Sequence, residues 1–267
     1  MADFPRRGGT TVIGMVHLRP LPGTPFHRDG TLEETVDSAV RSALALERGG
    51  AHGCLIQTVD RVYSVADESD PARTAAMGLV ADAVVRATGS DFHVGVQMMR
   101  NAVSASLGVA KVTGGSFVRV GALVGQTLSP HGMVTPDPLR VMAYRRSIAG
   151  EDIGVIADID SMHFWWFGGG KTTAEVAKAA WSAGADAVSL CHPDDDTTLR
   201  MIDSVRAAAP DLPVVLAGHT HHGNAARLLA AADGAFVGSC LEGDGWGSEI
   251  DAARVEEYMD AVRQIPR

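Results

Sequence analysis

The chain is short of the residues that mark several large protein classes. Only three of its 267 residues are cysteine (Cys54, Cys191 and Cys240), an odd number at wide spacing with no CxxC pair. That argues against a disulfide framework and for a reducing cytoplasm. No apolar run approaches the roughly 20 residues of a spanning helix. The first nine residues hold two arginines but no apolar segment of a secretory leader. Positive charge is scarce too: the formal net charge is −9 and the pI about 5.5. A nucleic-acid surface needs the opposite balance. The expectation is therefore a cytoplasmic protein with neither a transmembrane segment nor a nucleic-acid partner.

What is present is ample core material, with 46% hydrophobic residues against 21% charged ones. Apolar or β-branched runs recur at 11–18, 53–58, 93–99, 116–120, 153–159, 185–191, 213–217 and 234–240. Alanine-rich stretches of helical spacing separate them. Thr31-Leu32-Glu33-Glu34 and Thr172-Thr173-Ala174-Glu175 read as capping boxes. Asp70-Pro71 opens a further helix, and Gly49-Gly50 and Ala183-Gly184 close two. Eight strands each followed by a helix predict a parallel sheet, and right-handed connections repeated eight times close it into a (β/α)8 TIM barrel. An open doubly wound sheet is the alternative. The whole chain, 1–267, is expected to form one barrel domain, with residues 1–10 a short N-terminal extension.

In such a barrel the site lies at the C-terminal ends of the strands. The residues that end the runs are therefore the candidates: His17; Gln57, Thr58 and Asp60; Gln97, Arg100 and Asn101; Arg119; Asp158, Asp160 and His163; Cys191 and His192; His219, His221 and His222; Ser239, Glu242 and Asp244. With His131, seven of the ten histidines fall at or just past strand ends.

The opening segment Ile13-Gly14-Met15-Val16-His17-Leu18, followed by Pro20-Leu21-Pro22-Gly23, resembles the signature of the BtpA/SgcQ family. Arg100-Asn101, Phe117-Val118-Arg119-Val120, Tyr144-Arg145-Arg146, Ala157-Asp158, Ala232-Asp233-Gly234 and Val237-Gly238 follow in the family's order. The resemblance implies a barrel of the ribulose-phosphate-binding type. It also implies an enzyme for a sugar or nucleoside derivative, or the photosystem I biogenesis role for which the family is named. The chain departs from the family at Gln57-Thr58, Gln97, Ala102, Asp160, Met162, Cys191-His192 and His219. These departures fall at the expected mouth and imply an altered ligand or chemistry in a divergent member.

Gly218, His219 and Thr220 on the seventh run, with Gly238, Ser239 and Cys240 on the eighth, are placed to clamp a phosphate through backbone amides. Asp158 and Asp160 share one face of their strand by period-two alternation. They can act as acid and base together with His17, His192 and His219. Asp158, His192 and His219 are also the candidate ligands for a divalent Zn, Mn or Fe ion, which would make the protein a metal-dependent hydrolase. Gln57, Gln97, Arg100, Arg119 and His163 are expected to hold a small-molecule substrate. Four aromatics and three glycines at 164–170 suggest a lid in which Trp165 and Trp166 offer ring faces and Lys171 meets an anion. The same loop could join copies in a homo-oligomer. Three functions stand side by side: a lyase, isomerase or glycosidic-bond enzyme for a phosphorylated sugar or nucleoside, the metal-dependent hydrolase, and a non-catalytic assembly factor.

Overall fold

All eight apolar runs form parallel strands, and the last pairs with the first. The structure, a computed structural model, describes residues 7–265; residues 1–6 of the expected extension lie outside them. In chain order the elements are β1 (Thr11–Leu18), α1 (Leu32–Arg48), β2 (Gly53–Thr58), α2 (Pro71–Ala87), β3 (His93–Gln97), α3 (Val103–Thr113) and β4 (Phe117–Val120). They continue with β5 (Thr127–Ser129), β6 (Gly132–Val134), α4 (Pro138–Ser147), β7 (Gly154–Asp160), α5 (Thr173–Ser182) and β8 (Ala187–Leu190). The last are α6 (Asp195–Ala208), β9 (Val214–Leu216), α7 (Ala225–Leu229), β10 (Gly234–Val237) and α8 (Ala252–Arg263). The sheet closes in the order β1-β10-β9-β8-β7-β4-β3-β2, so the fold is the TIM barrel and not the open sheet.

Strand alternation sorts the side chains into two layers of core. Inward residues Ile13, Met15, Leu55, Phe117, Ile156, Ala187, Val215 and Phe236 fill the barrel. Outward residues such as Val12, Cys54, Val94, Val118, Val155 and Val188 pack beneath the helices. The interior mixes large and small side chains: a Cβ at Gly95 would lie 2.2 Å from the Phe117 ring. Two residues beyond this apolar plug, the inward positions become His17, Gln57, Arg119, Asp158, Ser189 and Gly238. A polar layer thus sits above an apolar one at the C-terminal end, because the same parity continues while the chemistry changes.

Asp70 and the Thr172–Glu175 capping box cap their helices as expected. Thr31 does not cap: its backbone is already helical, and its hydroxyl donates back to the Arg28 carbonyl at 2.7 Å. A second expectation also fails. Asp158 and Asp160 do not share a face, because the β7–β8 register shifts between them. The antiparallel pair β5–β6 was not expected from the pattern; its strands are three residues each, too short for alternation to register. Among the described residues no helix is long and apolar enough to cross a membrane.

Candidate active site at the C-terminal end of the barrel

The polar layer is built around one buried ion pair. Arg119 donates from Nε and Nη2 to the two oxygens of Asp158 at 3.0 and 3.1 Å. The side chains are 3% and 0% exposed. Asp158 also accepts from the Ser189 hydroxyl, and Arg119 reaches the Ala217 carbonyl at 3.3 Å. The guanidinium lies 4.8 Å from the centroid of the Phe236 ring below it. A carboxylate engaged by three donors anchors Arg119, and such buried pairs are strongly destabilised when one partner is lost.

A second carboxylate orients a histidine. Glu242, at the root of the loop after β10, is fully buried and places Oε1 at 2.9 Å from His17 Nδ1. Its Oε2 has no hydrogen-bond partner among the described residues. A buried carboxylate on Nδ1 selects the tautomer with the proton there and leaves Nε2 as the acceptor. Trp246, four residues further along the loop, stands against the same imidazole with ring centroids 5.3 Å apart.

These groups border a cavity of about 520 Å³ whose wall includes Met15, His17, Gln57, Arg119, His163 and Trp246. The loops after β9 and β10 continue the wall through Gly218, His219, Gly238 and Ser239, with Gly238 on the strand next to that of His17. The amides of Gly218, His219 and Ser239 have no protein acceptor among the described residues. His219 adopts φ +58°, and Gly218 φ +147°, so this turn is held in a conformation that L side chains rarely take. His163 is pushed down to about 4, chiefly by burial and then by the Arg119 charge. At neutral pH it is an uncharged imidazole. His219 is also lowered, by burial and by His192 beside it.

The structure brings together His17, Gln57, Arg119, His163, Gly218, His219, Gly238 and Ser239 around this cavity, with Asp158 directly beneath Arg119. Other candidates lie apart from it. Gln97 accepts from Gln57 Nε2 at 2.6 Å and backs it from behind. Arg100 donates to the His163 carbonyl at 2.8 Å. Asp160 accepts the Thr173 hydroxyl at 2.8 Å at the start of α5. His192 is exposed, and its Nδ1 accepts the Asp194 amide at 3.0 Å.

The 164–171 segment also differs from the expected lid. Trp166 packs against Gly125, Trp165 is 51% exposed beside Phe167, and Lys171 pairs with Glu175 at 3.2 Å within the capping box. None of the three borders the cavity. Among the described residues no three His, Cys, Asp or Glu side chains converge closely enough to hold a metal ion. Asp158, His192 and His219 therefore do not fit the expected metal set. Asp158 is spent on Arg119, and His192 is turned to its own loop.

Glu242 was read only as the end of a run, and Trp246 was not singled out. Glu242 follows a run of inward and outward alternation that ends at β10, so period-two logic stops before it. The available signal was a carboxylate directly ahead of the glycine-rich stretch 243–247.

A sequence profile for the BtpA family matches residues 9–264. The chain is 28% identical to the photosystem I biogenesis protein BtpA of Synechocystis over 95% of this chain and 88% of the relative. It is 31% identical to an uncharacterized protein of Archaeoglobus fulgidus over 95% and 98%. Among solved structures it resembles the thiamine phosphate pyrophosphorylase of Pyrococcus furiosus, with a TM-score of 0.57 and 18% identity over 96% and 97% of the two chains.

Proposed function

The chain belongs to the BtpA family, and from that premise we propose that it is an enzyme using acid–base chemistry on a phosphorylated small molecule of sugar or nucleoside type. The observation that carries this reading is the Glu242–His17 pair at the rim of the cavity. Glu242 holds the proton on Nδ1, so Nε2 is free to take a proton from a bound ligand, and the buried carboxylate stabilises the imidazolium that results. That suits lyase, isomerase or glycosidic-bond chemistry. In the same cavity, the unengaged amides of Gly218, His219 and Ser239 supply donors for phosphate oxygens. His163, neutral at working pH, hydrogen-bonds without adding charge. Arg119 is pinned by Asp158 and contributes a fixed positive edge.

The solved barrel from Pyrococcus furiosus that it resembles is named for a phosphate ester, in keeping with this assignment. The metal-dependent alternative lacks a gathered donor set among the described residues. The assembly alternative takes support from the name of the cyanobacterial relative. The Archaeoglobus fulgidus relative, which aligns over nearly its full length, carries no such name.

The test is thermal denaturation with ribose 5-phosphate, ribose and inorganic phosphate. A ligand at about 100 times its Kd stabilises the folded state by about 2.7 kcal/mol. Ribose 5-phosphate is expected to raise the Tm and ribose is not. Gly238→Asp, whose new side chain would enter the cavity beside Met15 and His17, is expected to remove the effect by charge repulsion. No shift with either phosphate compound would overturn the reading.

A further inference from the structure

Trp246 is the largest exposed side chain at the cavity, 67% exposed, and takes no part in the acid–base pair of His17 and Glu242. Its position is built, not incidental. The loop that carries it is pinned at its root by the antiparallel bridge between Glu242 and Ile250 and by the Gly243 amide on the Glu249 carbonyl at 3.0 Å. The tip is Gly245-Trp246-Gly247, with both glycines at positive φ and nothing within 4 Å of a Cβ at either. The indole meets the His17 ring in a tilted contact, at 5.3 Å between centroids and 37° between planes, and is otherwise largely open at the rim, 67% exposed.

An open indole face is costly in water and is a surface on which a flat ring stacks. The rest of the wall fits the same kind of group. His163, His219, His221 and Phe236 also line the cavity. Gln57 is tied through its amide nitrogen to Gln97, which leaves its carbonyl oxygen for an N–H or O–H of a ligand. The cavity, about 520 Å³, lies in the range that encloses ligands larger than a bare pentose phosphate, about 300–1,000 Å³.

We propose that Trp246 is a specificity-determining residue and that the ligand is a nucleotide, its base stacked on the open face of Trp246 and its phosphate on the amides after β9 and β10. This rests on the phosphorylated-ligand reading above and narrows it to the nucleoside class. The stack sits on the loop rooted at Glu242, so the residue that holds the base and the residue that orients His17 belong to one short segment. A correct base steadies the loop that positions the imidazole.

The experiment is calorimetric titration of the wild type, Trp246→Ala and Trp246→Phe with adenosine 5′-monophosphate, uridine 5′-monophosphate and ribose 5-phosphate. Every base has a stacking face, so both nucleotides are expected to bind more tightly than the sugar phosphate. Trp246→Ala is expected to weaken the nucleotides about 5- to 150-fold while ribose 5-phosphate stays within about twofold, and Trp246→Phe restores most of the loss. Nucleotides no tighter than ribose 5-phosphate, or an equal loss for all three in Trp246→Ala, would overturn the base platform while leaving the phosphorylated-ligand site standing. No binding of any of the three to the wild type would overturn both. Folding of the variants is checked by far-UV circular dichroism; the side chain is exposed, so it is expected to be unchanged.

Discussion

Asparagine at position 158 should cost this barrel about 3–5 kcal/mol. The figure follows from what Asp158 receives: Arg119 Nε at 3.0 Å, Arg119 Nη2 at 3.1 Å and the Ser189 hydroxyl. Asparagine offers one carbonyl oxygen, and its amide N–H then faces an arginine N–H. Arg119 is 3% exposed and cannot lose its proton, so a buried cation is left with one neutral amide oxygen in place of the carboxylate, beside the Ala217 carbonyl at 3.3 Å and the Phe236 ring at 4.8 Å. The ring returns only about 0.5–2 kcal/mol. For a chain of this length the loss corresponds to a fall in Tm of about 10 °C. Urea unfolding followed by far-UV circular dichroism measures it. In Arg119→Met/Asp158→Asn the stranded charge is gone, and stability is expected to return by at least about 2 kcal/mol relative to Asp158→Asn. A loss below about 1 kcal/mol in Asp158→Asn, or simple additivity of the two substitutions, would refute the claim that Asp158 serves to hold Arg119.

Three further outcomes are expected. In Glu242→Leu the His17 imidazole loses its Nδ1 partner, and its ring ¹⁵N resonances should change from the Nδ1–H tautomer to the Nε2–H tautomer that dominates free histidine; an unchanged spectrum would remove Glu242 as the positioning group. His163 is held down to about 4 from 6.5, so between those values the unfolded chain binds a proton that the folded chain does not. Stability should therefore fall as pH drops from about 6.5 to about 4, by up to about 3 kcal/mol, and His163→Gln should flatten that limb of the profile. Gly95→Ala drives a Cβ to 2.2 Å from the Phe117 ring. It should cost about 1–3 kcal/mol by denaturant unfolding, with Phe117→Leu in the same chain recovering part of it.

The barrel was legible because its strands carry a strong local signal: short apolar runs, each followed by a capped helix. The same alternation that buries Met15, Phe117 and Phe236 foretells that His17, Arg119 and Gly238 point into the mouth. Local reasoning stops where a partner comes from far along the chain. Glu242 reaches His17 across 225 residues, which no spacing rule encodes. The register shift after Asp158 turns Asp160 away to Thr173, and nothing in Ala157-Asp158-Ile159-Asp160 announces it. Lys171 and His192 were misplaced for a related reason: each has a polar neighbour within four residues, Glu175 or Asp194, that holds it at short range.

The central claim is that the cavity between His17 and the loops after β9 and β10 receives a phosphorylated ligand. A ¹H–¹⁵N NMR titration of the wild-type protein with ribose 5-phosphate tests it at the atoms concerned. The account predicts saturable shifts of the Gly218, His219 and Ser239 amides, absent in Gly238→Asp. Saturable shifts confined to another surface, such as the groove between α2 and α3 near Gly78 and Gly108, or no shifts at all, would contradict it.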